Sequence, residues 1–92
     1  MDILQYDDGK KGRFYIEQEN IILAEMTYVW AGTEKIIIDH TEVNDKLRGK
    51  SAGKYMLAKA VEFTRAKGIS IIPLCPFVKS VFEKTPDYND VL

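Results

Sequence analysis

Apolar residues recur along this chain at two periods, and the period changes near its middle. Over Phe14–Gln18 they alternate, with Phe14 and Ile16 on one side and Tyr15 and Glu17 on the other. Over Ile21–Trp30 they alternate again: Ile22, Ala24, Met26, Tyr28 and Trp30 share one face, Leu23, Glu25, Thr27 and Val29 the other. Alternation with β-branched and aromatic residues predicts strands. Glu19-Asn20 predicts a tight turn between them, since Asn tolerates a left-handed backbone. Ala31–Lys35 predicts a second hairpin loop and Ile36–Val43 a third strand, opening on three isoleucines. Strands joined this closely predict an antiparallel meander. Residues 1–12 contain Asp7-Asp8-Gly9-Lys10-Lys11-Gly12 and read as a loop or ragged end.

From Ala52 to Lys67 the period becomes 3.6. Met56, Leu57, Ala60, Val61, Phe63 and Thr64 fall on one arc; Lys54, Lys59, Glu62 and Arg65 fall opposite. That predicts a core-facing helix, stopped by Gly68 with Lys67 at its negative end. Ile69–Leu74 predicts a buried fourth strand. Strand, helix, strand in succession implies a right-handed crossover and a parallel pair. Pro76 suits the first position of a second helix reaching about Lys84, which Pro86 ends. Tyr88 and Leu92 of the tail are expected to dock back. The class is α+β: a three-stranded meander, a helix, a parallel fourth strand and a C-terminal helix, in one domain over residues 1–92.

Composition changes this picture little. The chain has 92 residues, 46% hydrophobic and 29% charged, an ordinary globular balance. Its net charge of −1 provides no global basic field to draw it to nucleic acid. No apolar run approaches the ~18 residues of a membrane span. The N-terminus lacks the pattern of a signal peptide. A single cysteine excludes an internal disulfide, so a reducing, cytoplasmic setting is the expectation.

Candidate chemistry gathers where the two periods meet. The third strand runs out through Asp39, His40, Thr41, Glu42 and Val43, and a turn leads to Arg48-Gly49-Lys50-Ser51-Ala52-Gly53-Lys54 before the helix. Helix-start N–H groups lack partners and carry partial positive charge. Glycines let an anion approach closely. A phosphate cradle is one reading; a flexible polar turn is the other. A nucleoside-triphosphate loop is not: three residues separate Gly49 and Gly53 rather than four, and Tyr55 takes the place of the magnesium-holding Ser or Thr. Cys75 falls at the predicted N-cap of the last helix, where a thiol is activated, or it is a small buried residue at a strand–helix junction. His40 and Glu42 share a strand face if alternation holds, as general bases or as structural residues. One His and one Cys on separate elements make a poor metal site.

Leu47-Arg48-Gly49-Lys50-Ser51-Ala52-Gly53, set between strand and helix, resembles motif A of the GNAT superfamily of N-acetyltransferases. Arg48 and Gly53 match the ends of that pattern, and Ser51 replaces its middle glycine. With His40-Thr41-Glu42-Val43 and Pro73-Leu74-Cys75-Pro76-Phe77, the chain looks most like the small stand-alone members, from about Phe14 onward. The resemblance implies acetyl-CoA as cosubstrate and an amine acceptor. Its diphosphate would meet the amides of residues 49–54, and its thioester carbonyl the N–H of Val43. Proton removal would fall to His40 or Glu42, and acetyl would pass either directly or through Cys75. Larger members carry helices between their first two strands; here Glu19-Asn20 stands alone, which implies an open or partner-completed acceptor side. The alternative is a CoA-binding or protein-interaction module without turnover. Neither nucleic acid nor membrane is expected as partner, and the edge of the last strand offers a place for a second copy to pair.

Overall fold

The computed structural model describes residues 1–92. Its sheet begins one strand earlier than the alternation predicts. Leu4–Asp7 (β1) pairs antiparallel with Lys11–Gln18 (β2), so residues 1–12 hold a hairpin rather than a ragged end. All four β1 residues are exposed, and an exposed strand carries no alternating mark. Polar bonds tie it down. The Tyr28 hydroxyl donates to Asp7 Oδ2 at 2.6 Å and Trp30 Nε1 donates to the same oxygen at 3.0 Å. Gln5 Nε2 donates to the Tyr28 oxygen at 2.9 Å.

The meander continues through Ile21–Trp30 (β3) and Lys35–Val43 (β4), both antiparallel to their predecessors. The turn joining β2 to β3 has Glu19 at φ 51° and Asn20 at φ 66°, the mirror-image geometry that matches strand twist. Ala52–Lys67 (α1) then crosses to Ser70–Pro73 (β5), which lies parallel to β4. Gly68 closes α1 at φ 67°, and Pro76–Lys84 (α2) follows. The sheet order is β1-β2-β3-β4-β5. No helix is long and apolar enough to cross a membrane.

Both helices pack on one sheet face. Phe14, Met26, Tyr28, Ile36, Ile38 and Ile71 meet Met56, Leu57, Ala60 and Val61 of α1 and Val78, Val81 and Phe82 of α2 in a single core. The tail docks through Tyr88, which packs edge-on to Phe82, and through buried Val91. Leu92, expected to dock, is exposed. The other sheet face, with Arg13, Tyr15, Glu25, Thr27, Val29 and Ile37, has no helix over it.

Two β-bulges decide which side chains face the core. In β3, Leu23 is the extra residue between the pairs Ile16↔Ala24 and Glu17↔Ile22. Leu23 and Ala24 are therefore both buried, while Ile22, assigned by alternation to the face of Ala24 and Met26, is exposed. In β4, Asp39 is the extra residue between Tyr28↔Ile38 and Thr27↔His40. Ile36 and Ile38 point inward and are fully buried. Strict alternation would have sent His40 and Glu42 after them. The bulge reverses the phase.

Candidate functional site

Beyond the Asp39 bulge, β4 leaves its parallel neighbour. The last rungs run from Leu74 N–H and Cys75 N–H to one carbonyl, Ile38 O, each at 3.0 Å. The β4–β5 register ends at Ile38↔Pro73. From there to Val43 the β5-side edge of β4 is unpaired. Asn44 N–H donates to Leu23 O at 2.7 Å, on the β3 side. Successive amides of an extended strand point to opposite edges, so the Val43 N–H is directed to the free one.

Side chains of this stretch divide between the two faces. Thr41 pairs with Met26 and Val43 with Ala24, so both lie on the helix side. His40 pairs with Thr27 and Glu42 with Glu25, on the bare side. His40 Nε2 and Glu42 Oε2 are 4.0 Å apart, and both side chains are largely exposed. Glu42 and Val43 border a hollow of about 370 Å³ that Glu25 and Asn44 also line. His40 does not reach it.

Cys75 lies on the helix side, 5% exposed, at the N-cap of α2. Its Sγ is 3.4 Å from Thr41 Oγ1, the thiol donating to the hydroxyl. Burial pushes the thiol up, but the hydrogen bond shared with the Thr41 hydroxyl and the backbone bonds at Val78, Phe77 and Thr41 outweigh it. The net direction is down, as a helix N-terminus favours. Cys75 and the pair His40 and Glu42 thus stand on opposite faces of the sheet at the same parting of the strands.

The turn into α1 presents donors. Asn44 accepts from Lys46 N–H at 2.9 Å and starts a 3-10 turn over Asp45–Leu47. Gly49 follows at φ 78° and Ser51 at φ 59°. Ser51 occupies the N-cap, yet its hydroxyl caps nothing. Tyr55 N–H, bonded to Ser51 O, is the first of α1 with a backbone partner. The amides of Gly49, Ser51, Ala52, Gly53 and Lys54 make no bond within the protein. Lys50 and Arg48 differ from the expectation that residues 49–54 and their flank act as one cradle. The Lys50 N–H donates to Leu47 O at 3.1 Å and the Arg48 N–H to Asp45 O at 3.0 Å. The Arg48 guanidinium also holds Asp45 Oδ1 at 2.8 Å, in a fully solvated pair. The Lys50 and Lys54 side chains are exposed and unpaired. A hollow of about 340 Å³ runs from Val43 and Asn44 past Arg48 and Gly49 to Ser51 and Gly53.

Val43, the β4 edge and the unbonded amides therefore surround one crevice that can take a phosphorylated, extended ligand. Sequence reasoning missed Thr41, whose partner Cys75 lies 34 residues away. A family model described as GCN5-related N-acetyl-transferase matches residues 13–91. Among solved structures, that of a GCN5-like protein of Staphylococcus aureus, assigned to the N-acetyltransferases, is 41% identical; the match covers 98% of this chain and 85% of that one, with a TM-score of 0.77. Ribosomal-protein-alanine N-acetyltransferase from Brucella melitensis biovar Abortus 2308 is 14% identical over 84% of this chain and 62% of its own, with a TM-score of 0.68. An aminoglycoside N-acetyltransferase in complex with CoA is 10% identical over 90% and 88%, with a TM-score of 0.63. The last two show likeness of fold. No curated sequence matches.

Proposed function

Since the chain belongs to the GCN5-related N-acetyltransferase family, and is by that membership an N-acetyltransferase, we propose that it takes acetyl-CoA as donor and acylates an amine at the parting of β4 and β5. The observation that carries this reading is the end of pairing at Ile38↔Pro73. It leaves the Val43 edge free, beside the hollow that Gly49, Ser51, Ala52 and Gly53 also line. Their unbonded amides suit a diphosphate, which helix-start donors bind without needing side chains. Lys50 and Lys54 screen its charge, and Arg48 can exchange Asp45 for a phosphate oxygen, since an exposed ion pair is worth little. The Val43 N–H is the donor for the thioester oxygen as it gains charge.

The acceptor amine comes from the bare sheet face. Glu42 takes its proton there, because Glu42 and Val43 line the same hollow and a base must stand within reach of the proton it removes. The new C–N bond replaces the C–S bond, and the CoA thiolate leaves to be protonated. A second route has one observation in its favour, the lowered titration of Cys75. There the Cys75 thiolate would accept the acetyl group first, releasing CoA thiol, and the amine would then take it from sulfur.

The test is release of free CoA thiol from acetyl-CoA across a panel of amines, with intact-mass measurement under rapid quench. Thiol release that depends on an amine supports acetyl transfer. An acetyl adduct that vanishes in Cys75→Ala selects the second route, and product without adduct selects the first. CoA binding with no thiol released by any amine would identify a binding module instead.

A further inference from the structure

We infer that Phe77 is a positioning residue: its ring, seated against Gly53, sets where the first turn of α1 stands and so where the phosphate-binding amides point. This rests on the CoA reading above and adds a residue to it. A glycine beside a ligand site commonly serves backbone freedom or close approach of the ligand. Here the φ of Gly53 is not in the left-handed region, which among the glycines is occupied by Gly9, Gly32, Gly49 and Gly68. Any residue could adopt its backbone. What excludes a side chain is Phe77: a Cβ on Gly53 would lie 2.6 Å from Phe77 Cζ and 2.8 Å from Cε2. Real carbon atoms do not approach so closely, so the ring fills the space that glycine leaves.

That contact joins two helix starts. Phe77 lies in the first turn of α2, two residues past Cys75, and its N–H is among those turned to the Cys75 thiol. Gly53 lies in the first turn of α1, between the free amides of Ala52 and Lys54. One flat ring therefore spaces the N-termini of α1 and α2. Ring and glycine backbone are so close that a group inserted between them must displace one of the two. Phe77 is nevertheless 37% exposed, so one edge of the ring faces solvent and shrinking it leaves no sealed cavity.

The experiment is a size-exchange cycle: Gly53→Ala, Phe77→Leu and the double variant, each measured by CoA titration and by the amide NMR shifts of residues 51–54 without ligand. Gly53→Ala is expected to displace those shifts and to weaken CoA binding at least about tenfold, an overpacking effect. The double variant is expected to return both readouts most of the way, to within about threefold in affinity. A double variant as impaired as Gly53→Ala would overturn the proposal, since glycine would then be needed for the ligand itself. So would a Gly53→Ala protein with unmoved amides. Should the wild type fail to bind CoA, the proposed function falls, while the amide shifts still decide the role of Phe77. Should Gly53→Ala not fold, the double variant answers alone: folding with native amide shifts supports the ring's role, and failure to fold overturns it.

Discussion

Cys75 shows how opposed local terms set the chemistry of one atom. Burial penalises its thiolate, and the Thr41 hydroxyl with two helix-start amides favours it more. Alkylation by iodoacetamide should therefore inflect below the 9.0 of an unperturbed thiol. Thr41→Val should move the inflection upward; an unmoved profile would remove Thr41 from the account. On the other face, Glu42→Gln should lower kcat by about 10²-fold with CoA affinity unchanged, the usual size of a lost base. His40→Gln should do much less, because His40 does not border the hollow. Steady-state kinetics on the two variants reads this directly. Asp7 makes a third case, in stability. Partial burial raises its carboxyl, and bonds from the Tyr28 hydroxyl, the Gly9 N–H and Trp30 more than offset that, so it titrates below 3.8. A depressed carboxylate contributes its stabilisation above the unfolded value and loses it as pH falls through the folded one. Asp7→Ala should thus cost about 1 kcal/mol at neutral pH, reduced by solvent screening. The gap in melting temperature from wild type should narrow only below about pH 3.8.

Among the elements, α1 was the most legible because its pattern is local. Sixteen residues with one apolar arc and a stopping glycine specify a helix whatever surrounds them. The Glu19-Asn20 turn and the Pro76 helix start were legible for the same reason. Strand β1 was not, because Tyr28 and Trp30, which hold it, lie further along the chain and none of its own side chains is buried. Nor were the bulges at Leu23 and Asp39: a bulge is a matter of register between strands, and a single strand's sequence carries no register. The two ends of α1 allow a paired prediction. Gly49 at φ 78° and Gly68 at φ 67° both sit where a side chain is strained and both face open space. Alanine at either should cost about 1–2 kcal/mol, or very roughly 4–16 °C of melting temperature for a domain this small. Only Gly49→Ala should also weaken CoA binding. Equal loss of CoA affinity in Gly68→Ala would mean that stability, not the cradle, controls binding.

At the scale of the whole molecule, a sheet covered on one face by two helices leaves its other face bare, the side from which we propose the acceptor comes. Occupying the crevice should steady the whole fold, since a ligand bound only by the native state stabilises it by mass action. CoA at 100 times its dissociation constant should add roughly 2.7 kcal/mol, a rise of about 10 °C or more in the melting temperature. A melting temperature indifferent to CoA would count against the crevice as its site. The amino-acid sequence by itself determined the class of fold, the helix limits, the strand-turn-helix that resembles motif A, and hence the family. These follow from periodicity, turn chemistry and a contiguous motif, all carried by near neighbours in the chain. Only the tertiary structure decided that His40 and Glu42 face away from Cys75, that Thr41 meets the thiol, and that a phenylalanine accounts for Gly53. Each of those depends on how distant segments are registered and packed, a relation between strands and helices that no one stretch of chain contains.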